Sequence, residues 1–295
     1  VDELTESFYA DDMGWDFDEI WTIDPTISPY PVFKWQTSTS GVTNVEKAAY
    51  NVYVTTDGIR AEGLNGNVLF DLDDTLFDFH KAEKIALTKT LVHFGIDPTE
   101  ETLALYSTIN AAHWKRLELG EISREEVKVG RYRELFKTIG VECDPVKATA
   151  YYESMLAIGH YFMPGAPELL EELYRKYRLY IVSNGTAKVQ EGRIGSSGIA
   201  KYMDGIFISQ ILGANKPDKQ FFDICFAEIP DFSLSETVII GDSLSSDIKG
   251  GINAGITTVW FNPKGIENDN DIKPDYTIKE LSEVPGLLSQ ISAKI

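Results

Sequence analysis

Three carboxylates, those of Asp71, Asp73 and Asp74, lie within four positions directly after the apolar residues 68–70. Burying one carboxylate without a partner costs several kcal/mol, and two carboxylates that face the same side repel each other. A bound cation or a catalytic task explains such an arrangement. We therefore predict that these aspartates take part in chemistry and that other parts of the chain supply their positively charged partner.

Polar groups also follow three later apolar segments of the chain. Residues 183–186 follow the first of these segments, Lys216 and Pro217 follow the second, and residues 241–247 follow the third. Because the carboxyl ends of parallel strands converge on one crevice, we expect these groups to meet near Asp71. Carboxylate oxygens suit a hard divalent cation, and an ammonium with a hydroxyl suits an anion. Magnesium and a phosphate group are the predicted ligands.

An alternation of short apolar segments and helical patterns from residue 67 onward predicts an α/β fold, with a Rossmann-like parallel sheet flanked by helices. The predicted strands cover residues 68–70, 179–182, 206–209, 238–240 and 258–260. The gap between the first two strands is too long for one crossover helix. It predicts four helices, over residues 81–94, 100–119, 124–139 and 145–161.

The boundaries of the first three of these helices have their own sequence signals. Gly95, Gly120 and Gly140 are typical of helix ends, and Ser123 with Glu126 predicts a capping box at the start of the third helix. We therefore predict an all-helical block at residues 79–161, inserted in an α/β core formed by residues 67–78 and 162–295.

The first 66 residues form an acidic, aromatic-rich leader of unknown role. They contain 12 Asp and Glu against 3 Lys and Arg, and three of the five tryptophans, Trp15, Trp21 and Trp35. Three prolines exclude a long helix over residues 25–31. The alternating residues 50–54, followed by Asp57-Gly58 and residues 59–61, predict a short hairpin within a β-rich or irregular segment.

Charge and composition exclude several classes of function. The net charge of -19, without a basic run, argues against binding to a nucleic acid polymer. Cys143 and Cys225 give neither a disulfide framework nor a zinc pattern, and we expect both to be buried thiols. No apolar run is long enough to span a membrane and no signal segment is evident, so the expected location is the cytoplasm. The oligomeric state is open.

Four motifs, taken together and in this order, resemble those of the haloacid dehalogenase superfamily, over residues 67 to about 290. The motifs are Asp71-Leu72-Asp73-Asp74-Thr75, Ser183-Asn184-Gly185, Lys216-Pro217 and Gly241-Asp242 through Asp247. The chain is most similar to the 5′-nucleotidase branch that hydrolyses pyrimidine and non-standard nucleoside monophosphates. Residues 110–136 resemble its helical cap, and residues 250–261 resemble its Gly-Gly-Ile-Asn-Ala-Gly segment and following strand.

The resemblance implies a role for each matching residue. Asp71 would attack phosphorus and become a transient aspartyl phosphate, while Lys216 and the metal neutralise charge. Asp73 would protonate the leaving oxygen and then deprotonate the attacking water. The residues implied to bind phosphate are Thr75, Ser183, Asn184 and Gly185. Those implied to bind magnesium are Asp71, Asp73 (through its carbonyl) and Asp242. Asp247 and Ser243 are implied to support the site. Asp74 and Thr75 are also expected to shape the turn.

The leading hypothesis is therefore a magnesium-dependent phosphatase that acts on a small phosphate monoester, a nucleoside 5′-monophosphate. The alternatives are a sugar-phosphate phosphatase or phosphomutase on the same core, a 2-haloacid dehalogenase, and an interaction protein that acts through the leader. The helical residues that contact the base or sugar are not identified. The candidates are Asn110, Trp114, Arg116 and Phe79, but core packing is favoured for them. Gly192 and Gly195 predict a short or loose helix after the second motif.

Overall fold

The computed structural model describes residues 66–269 and 271–292, apart from the side chain at position 118, together with the backbone of four short strands before them. Of these four, β1 (Trp21–Thr22) pairs with β2 (Val32–Phe33) and β3 (Tyr50–Thr55) pairs with β4 (Gly58–Gly63), both antiparallel. The predicted hairpin is thus confirmed. The three tryptophans' side chains and the rest of the leader lie outside the described residues.

Six parallel strands form the central sheet, in the order β10-β9-β8-β5-β6-β7. They are β5 (Asn67–Phe70), β6 (Arg178–Ser183), β7 (Gly205–Ile208), β8 (Thr237–Gly241), β9 (Thr257–Phe261) and β10 (Tyr276–Ile278). All residues of β5 are buried between β6 and β8, which explains the unbroken apolar sequence of residues 68–70. The α/β fold is confirmed, and the five predicted strands are correct to within one residue at each end. β10 was not predicted because it is an edge strand of only three residues, too short to give an alternating pattern.

The chain divides into two compact units, and Asp78–Tyr161 forms the all-helical one. Its helices are α1 (Phe79–His93), α2 (Glu100–Glu118), α3 (Arg124–Ile139) and α4 (Pro145–Leu156). The four predicted helices are present, but α4 ends at Leu156 and not at residue 161. The N–H of Gly159 bonds to the carbonyl of Leu156 in a tight turn there, and glycine is unfavourable in a helix by about 1 kcal/mol.

The helix boundaries in this unit follow the predicted signals with one exception. Gly95, Gly120 and Gly140 adopt φ of 72°, 72° and 70°, the left-handed conformation that favours glycine at helix ends. The Ser123 hydroxyl accepts a hydrogen bond from the Glu126 N–H at 3.2 Å. The Glu126 carboxylate bonds to Arg133 at 2.6 Å, so only the serine half of the predicted capping box is formed.

A buried polar network lies inside the helical unit. Asn110 donates to Glu83 at 2.6 Å and accepts from Arg131 at 2.8 Å. The Arg131 guanidinium lies over the rings of Tyr152 and Tyr106, with its carbon 4.7 and 5.7 Å from their centroids. Asn110 therefore serves the interior of this unit, as the packing interpretation expected.

The other unit carries the sheet and six helices of the described chain. These are α5 (Ala166–Leu173), α6 (Ala187–Ser197), α7 (Ser209–Leu212), α8 (Lys219–Glu228), α9 (Lys249–Ala254) and α10 (Val284–Ser292). The expected shortening of α6 does not occur: the helix runs through eleven residues, and both Gly192 and Gly195 are buried in it.

Cys225 is buried as predicted, whereas Cys143 is partly exposed. Among the helices described, none is long and apolar enough to cross a bilayer.

The close approach of α9 to the sheet requires glycine at position 251. A Cβ there would lie 2.6 Å from the Cγ2 atoms of Ile239 and Thr258. We expect Gly251→Ala to lower the free energy of unfolding by about 1–3 kcal/mol, because the added methyl group overpacks the contact. The control is Gly286→Ala in α10, where nothing lies within 4 Å of the new Cβ. Urea denaturation measures both, and equal stabilities would contradict the prediction.

Candidate active site

The polar residues of the site lie at the carboxyl ends of neighbouring strands. Asp71 follows β5, and its N–H continues the pairing with β8 by bonding to the Ile240 carbonyl at 2.9 Å. Ser183 is the last residue of β6, and Asp242 comes directly after β8. The central position of β5 in the sheet thus brings together groups that are far apart in the sequence.

Lys216 is the buried cation of the site. Its Nζ donates to Asp71 Oδ1 at 2.7 Å, to Asp247 Oδ1 at 2.6 Å and to the Val182 carbonyl at 2.6 Å. These three bonds use all three protons of the ammonium group. Burial alone would favour the neutral amine, but the charges of Asp247 and Asp71 raise the pKa of Lys216 above its ordinary value. Lys216 is therefore a fixed positive charge held against Asp71.

The carboxylates of Asp71, Asp242 and Asp247 form one cluster, with an oxygen of each within 4.8 Å of the others. Burial raises the pKa of Asp71 to about 8, and the charges of Asp247 and Asp73 act in the same direction. Burial, followed by the charges of Asp247 and Asp71, raises the pKa of Asp242 well above its ordinary value. One ammonium does not offset three carboxylates. The donor set fits a hard divalent cation such as magnesium.

Asp247 belongs to this cluster but both of its oxygens are already engaged. Oδ1 accepts from Lys216, and Oδ2 accepts from the Ser243 N–H at 3.0 Å. The Ser243 hydroxyl caps the π-helical turn Leu244–Ile248 by accepting from the Ser246 N–H at 3.2 Å. A Cβ at Gly241 would lie 2.3 Å from Asp247 Oδ2. Glycine at 241 and the Ser243 cap thus allow Asp247 to orient Lys216.

The Asp73 side chain lies outside the three-carboxylate cluster. Its Oδ2 accepts a hydrogen bond from Gln190 Nε2 at 2.6 Å, and its Oδ1 forms an ion pair with Arg193. Both partners come from α6, and the sequence analysis missed them. Their signal was present: two long polar residues lie three positions apart, and so on one face of the helix that follows the second motif.

A turn separates Asp73 from the helical unit. Asp74 adopts a left-handed φ of 56°, and its N–H bonds to the Phe77 carbonyl at 2.6 Å. Asp74 therefore shapes the turn, as expected. Thr75 is fully buried, and its Oγ1 has no hydrogen-bond partner among the residues that the structure describes. A buried hydroxyl of this kind usually has a partner, which a ligand oxygen could supply.

The second motif forms two different sets of contacts. The Ser183 hydroxyl oxygen accepts from the Gly185 N–H at 3.1 Å and from Gln190 Nε2 at 2.9 Å, which leaves its proton available for an anion. The Asn184 side chain instead exchanges two 2.9 Å hydrogen bonds with the backbone N–H and carbonyl of Lys216. Asn184 thus fixes the loop that carries Lys216, a contact that the sequence analysis did not predict.

Comparison with known proteins shows to which family this chain belongs. The family model of haloacid dehalogenase-like hydrolases matches residues 68–261. The chain belongs to the haloacid dehalogenase-like hydrolases. The hydrolase is 41% identical over 224 residues to the pyrimidine 5′-nucleotidase PynA of Streptococcus pneumoniae, a match that covers 76% of this chain and 94% of that protein. It is 30% identical over 221 residues to the pyrimidine 5′-nucleotidase YjjG of Escherichia coli, covering 75% and 96%.

A solved structure is similar as well. The magnesium-bound HAD-hydrolase YfnB of Bacillus subtilis superimposes on this hydrolase with a TM-score of 0.73 and 39% identity, covering 76% of this chain and 98% of that chain. The predictions of family membership, of the fold and of a hydrolytic enzyme are therefore confirmed. The roles of the individual site residues stay predictions.

Proposed function

We propose that this hydrolase removes the phosphate group from nucleoside 5′-monophosphates in a magnesium-dependent reaction. The proposal is carried by the cluster of Asp71, Asp242 and Asp247, in which the buried Lys216 bonds to Asp71 and Asp247. It is supported by the similarity of the chain, over most of its length, to two pyrimidine 5′-nucleotidases. The small phosphate monoester is thus the substrate class, and the pyrimidine nucleotides are the specific candidates.

Asp71 is the proposed nucleophile. Its Oδ1 is fixed by Lys216 at 2.7 Å, so its other carboxylate oxygen is available to attack phosphorus and form an aspartyl phosphate. Two anions approach each other in this step, and Lys216 lowers the repulsion between them. The hydroxyls of Ser183 and Thr75 would donate to phosphoryl oxygens, since neither proton has another acceptor among the described residues.

The carboxylates of Asp71 and Asp242, with the backbone carbonyl of Asp73, would hold the magnesium ion. When bound, magnesium supplies positive charge that offsets the carboxylates and the phosphate. The excess of negative charge and the raised pKa values of Asp71 and Asp242 both fit such an ion. Asp247 would act indirectly, by orienting Lys216.

Asp73 is the proposed acid and base. As the bond between phosphorus and the nucleoside oxygen breaks, the Asp73 carboxyl group gives its proton to that oxygen. The resulting carboxylate then takes a proton from the water that attacks the aspartyl phosphate, which restores Asp71 and releases phosphate. The partly exposed side chain of Asp73 is compatible with both transfers, because its exposed side can meet substrate and water.

A substrate panel tests the proposed function. We expect the purified protein with magnesium to release phosphate from uridine and thymidine 5′-monophosphates faster than from inosine 5′-monophosphate or hexose phosphates, and to lose this activity with a chelator. Faster turnover of hexose phosphates would favour the sugar-phosphate alternative. Chloride release from a 2-haloacid in the presence of chelator would favour the dehalogenase. No phosphate release from any monophosphate would contradict the proposal.

A further inference from the structure

Two buried polar side chains of α6 hold both oxygens of Asp73. Gln190 and Arg193 are 1% and 0% exposed. Gln190 Nε2 donates to Oδ2 of Asp73, Arg193 pairs with Oδ1, and Arg193 also donates to Gln190 Oε1 at 3.0 Å. The three side chains therefore form a closed triangle, in which each contacts the other two.

We infer that Gln190 and Arg193 are positioning residues that fix the Asp73 carboxyl group for proton transfer to the leaving group. This inference rests on the proposed phosphatase function. Both residues contact the Asp73 carboxyl group itself, so we expect both to act through Asp73. Each carboxylate oxygen has two lone pairs, and one contact per oxygen leaves a lone pair for the transferred proton.

The position of Gln190 requires a glycine at position 185, in the second motif. A Cβ at Gly185 would lie 2.2 Å from Gln190 Nε2 and 2.5 Å from its Cδ. The amide of Gln190 thus lies directly on the backbone at Gly185. From there it reaches both Asp73 and, at 2.9 Å, the Ser183 hydroxyl. Gln190 therefore links the proposed acid to the proposed phosphate-binding hydroxyl.

The position of Arg193 is equally restricted. Its guanidinium lies over the ring of Phe77, with its carbon 5.2 Å from the centroid. A planar guanidinium presents its donors in a rigid geometry, so it orients a carboxylate more strictly than an ammonium does. The two catalytic aspartates therefore have separate cations: Lys216 fixes Asp71 and Arg193 fixes Asp73.

The leaving group distinguishes this role from a structural one. The value of kcat/KM reports the steps up to formation of the aspartyl phosphate, and a nucleoside oxygen needs a proton in that step. A p-nitrophenolate leaving group does not, because it is stable as an anion. A residue that positions the acid should therefore affect kcat/KM for a nucleoside monophosphate and leave that for p-nitrophenyl phosphate nearly unchanged.

The experiment compares wild type with Arg193→Met, Arg193→Lys and Gln190→Leu on uridine 5′-monophosphate and p-nitrophenyl phosphate, with magnesium. We expect Arg193→Met to lower kcat/KM for the nucleotide by about tenfold or more, since a general acid contributes 10²–10⁴-fold, and to change kcat/KM for the aryl ester by less than about threefold. Gln190→Leu should give a smaller effect of the same kind. Arg193→Lys should recover part of the loss.

Two further comparisons make the result decisive. In an Asp73→Asn background, Arg193→Met should cause no additional loss, because the group that it positions is already inactive. The matched control is Arg178→Met: Arg178 lies at the amino end of β6, where it bonds to Asn67 and to the Pro230 carbonyl. Its replacement should leave the ratio of the two kcat/KM values unchanged.

The outcomes distinguish a failure of the positioning role from a failure of the proposed phosphatase function. Equal losses on both substrates, or a loss that persists in the Asp73→Asn background, would overturn the positioning role while the phosphatase function stands. Wild-type protein that hydrolyses neither ester would overturn the proposed function and the inference with it. Unfolding curves in urea show whether Arg193→Met folds; if it does not, Gln190→Leu decides by the same ratio.

Discussion

Asp71→Asn is expected to abolish turnover. The amide keeps the shape of the side chain but cannot attack phosphorus, so we expect kcat to fall by roughly 10⁴-fold or more. Phosphate release from a nucleoside monophosphate with magnesium measures this. The control is Asp223→Asn, which removes an exposed aspartate of α8 that pairs with the exposed Lys219. Full activity of Asp71→Asn would refute the assignment of the nucleophile.

Asp71→Asn should also be stable. We expect its free energy of unfolding to increase relative to that of wild type as the pH rises. Burial raises the pKa of Asp71 from 3.8 to about 8, so between these values the folded protein holds a proton that the unfolded chain releases. The contribution of Asp71 to the free energy of unfolding of wild type therefore falls as the pH rises between these values. Asparagine does not titrate. In chelator, we expect the stability difference between Asp71→Asn and wild type to grow from pH 5 to pH 8; a constant difference would contradict the raised pKa.

Lys216→Met is expected to reduce both activity and stability. Turnover should fall by about 10²-fold or more, because the fixed charge that offsets the approaching anions is lost. The free energy of unfolding should fall by about 3–5 kcal/mol, since removing one partner leaves buried carboxylates uncompensated. The Val182 carbonyl also loses its donor. Urea denaturation and phosphate release measure the two effects.

A double variant tests the cause of the lost stability. If uncompensated charge is responsible, Asp71→Asn should restore part of the stability of Lys216→Met, without restoring activity. Lys219→Met is the matched control, since Lys219 is an exposed lysine three positions away that pairs with Asp223. We expect no effect on turnover from it. Strictly additive losses in the double variant would show that the charge cluster is not the source.

The parts of the fold and site that depend on local pattern were predictable from the sequence. Unbroken apolar segments identified β5 and β8 because both strands are buried, and the motifs placed Asp71, Ser183 and Asp242 at strand ends. Lys216 lies farther along the chain, beyond the helix α7 that follows β7. Topology then required these groups to converge. Local rules failed where the strand was only three residues long, as in β10, or where glycine ended a helix early, as after Leu156.

Contacts between distant side chains could not be predicted in the same way. The two polar residues of α6 lie 117 and 120 positions from Asp73, and no local pattern states which carboxylate they meet. The Asn184 side chain bonds to the Lys216 backbone, because the loop after β6 and the loop that carries Lys216 pack side by side. The sequence did not indicate this contact, and the binding of phosphate by Asn184 stays a prediction. Hydrogen bonds between loops depend on tertiary packing, which the hydrophobic periodicity of the sequence does not indicate.

The order of the strands has a consequence for how the molecule is made. β5 emerges first from the ribosome among the core strands, yet its neighbours β6 and β8 begin only at Arg178 and Thr237, after the whole helical unit. Lys216 is 145 positions from Asp71, so long-range pairing must precede a complete site. A nascent or shortened chain that ends before β8 lacks Asp242 and the support of Asp247. A complete active site therefore forms late in synthesis, when β8 pairs with β5 in the core sheet.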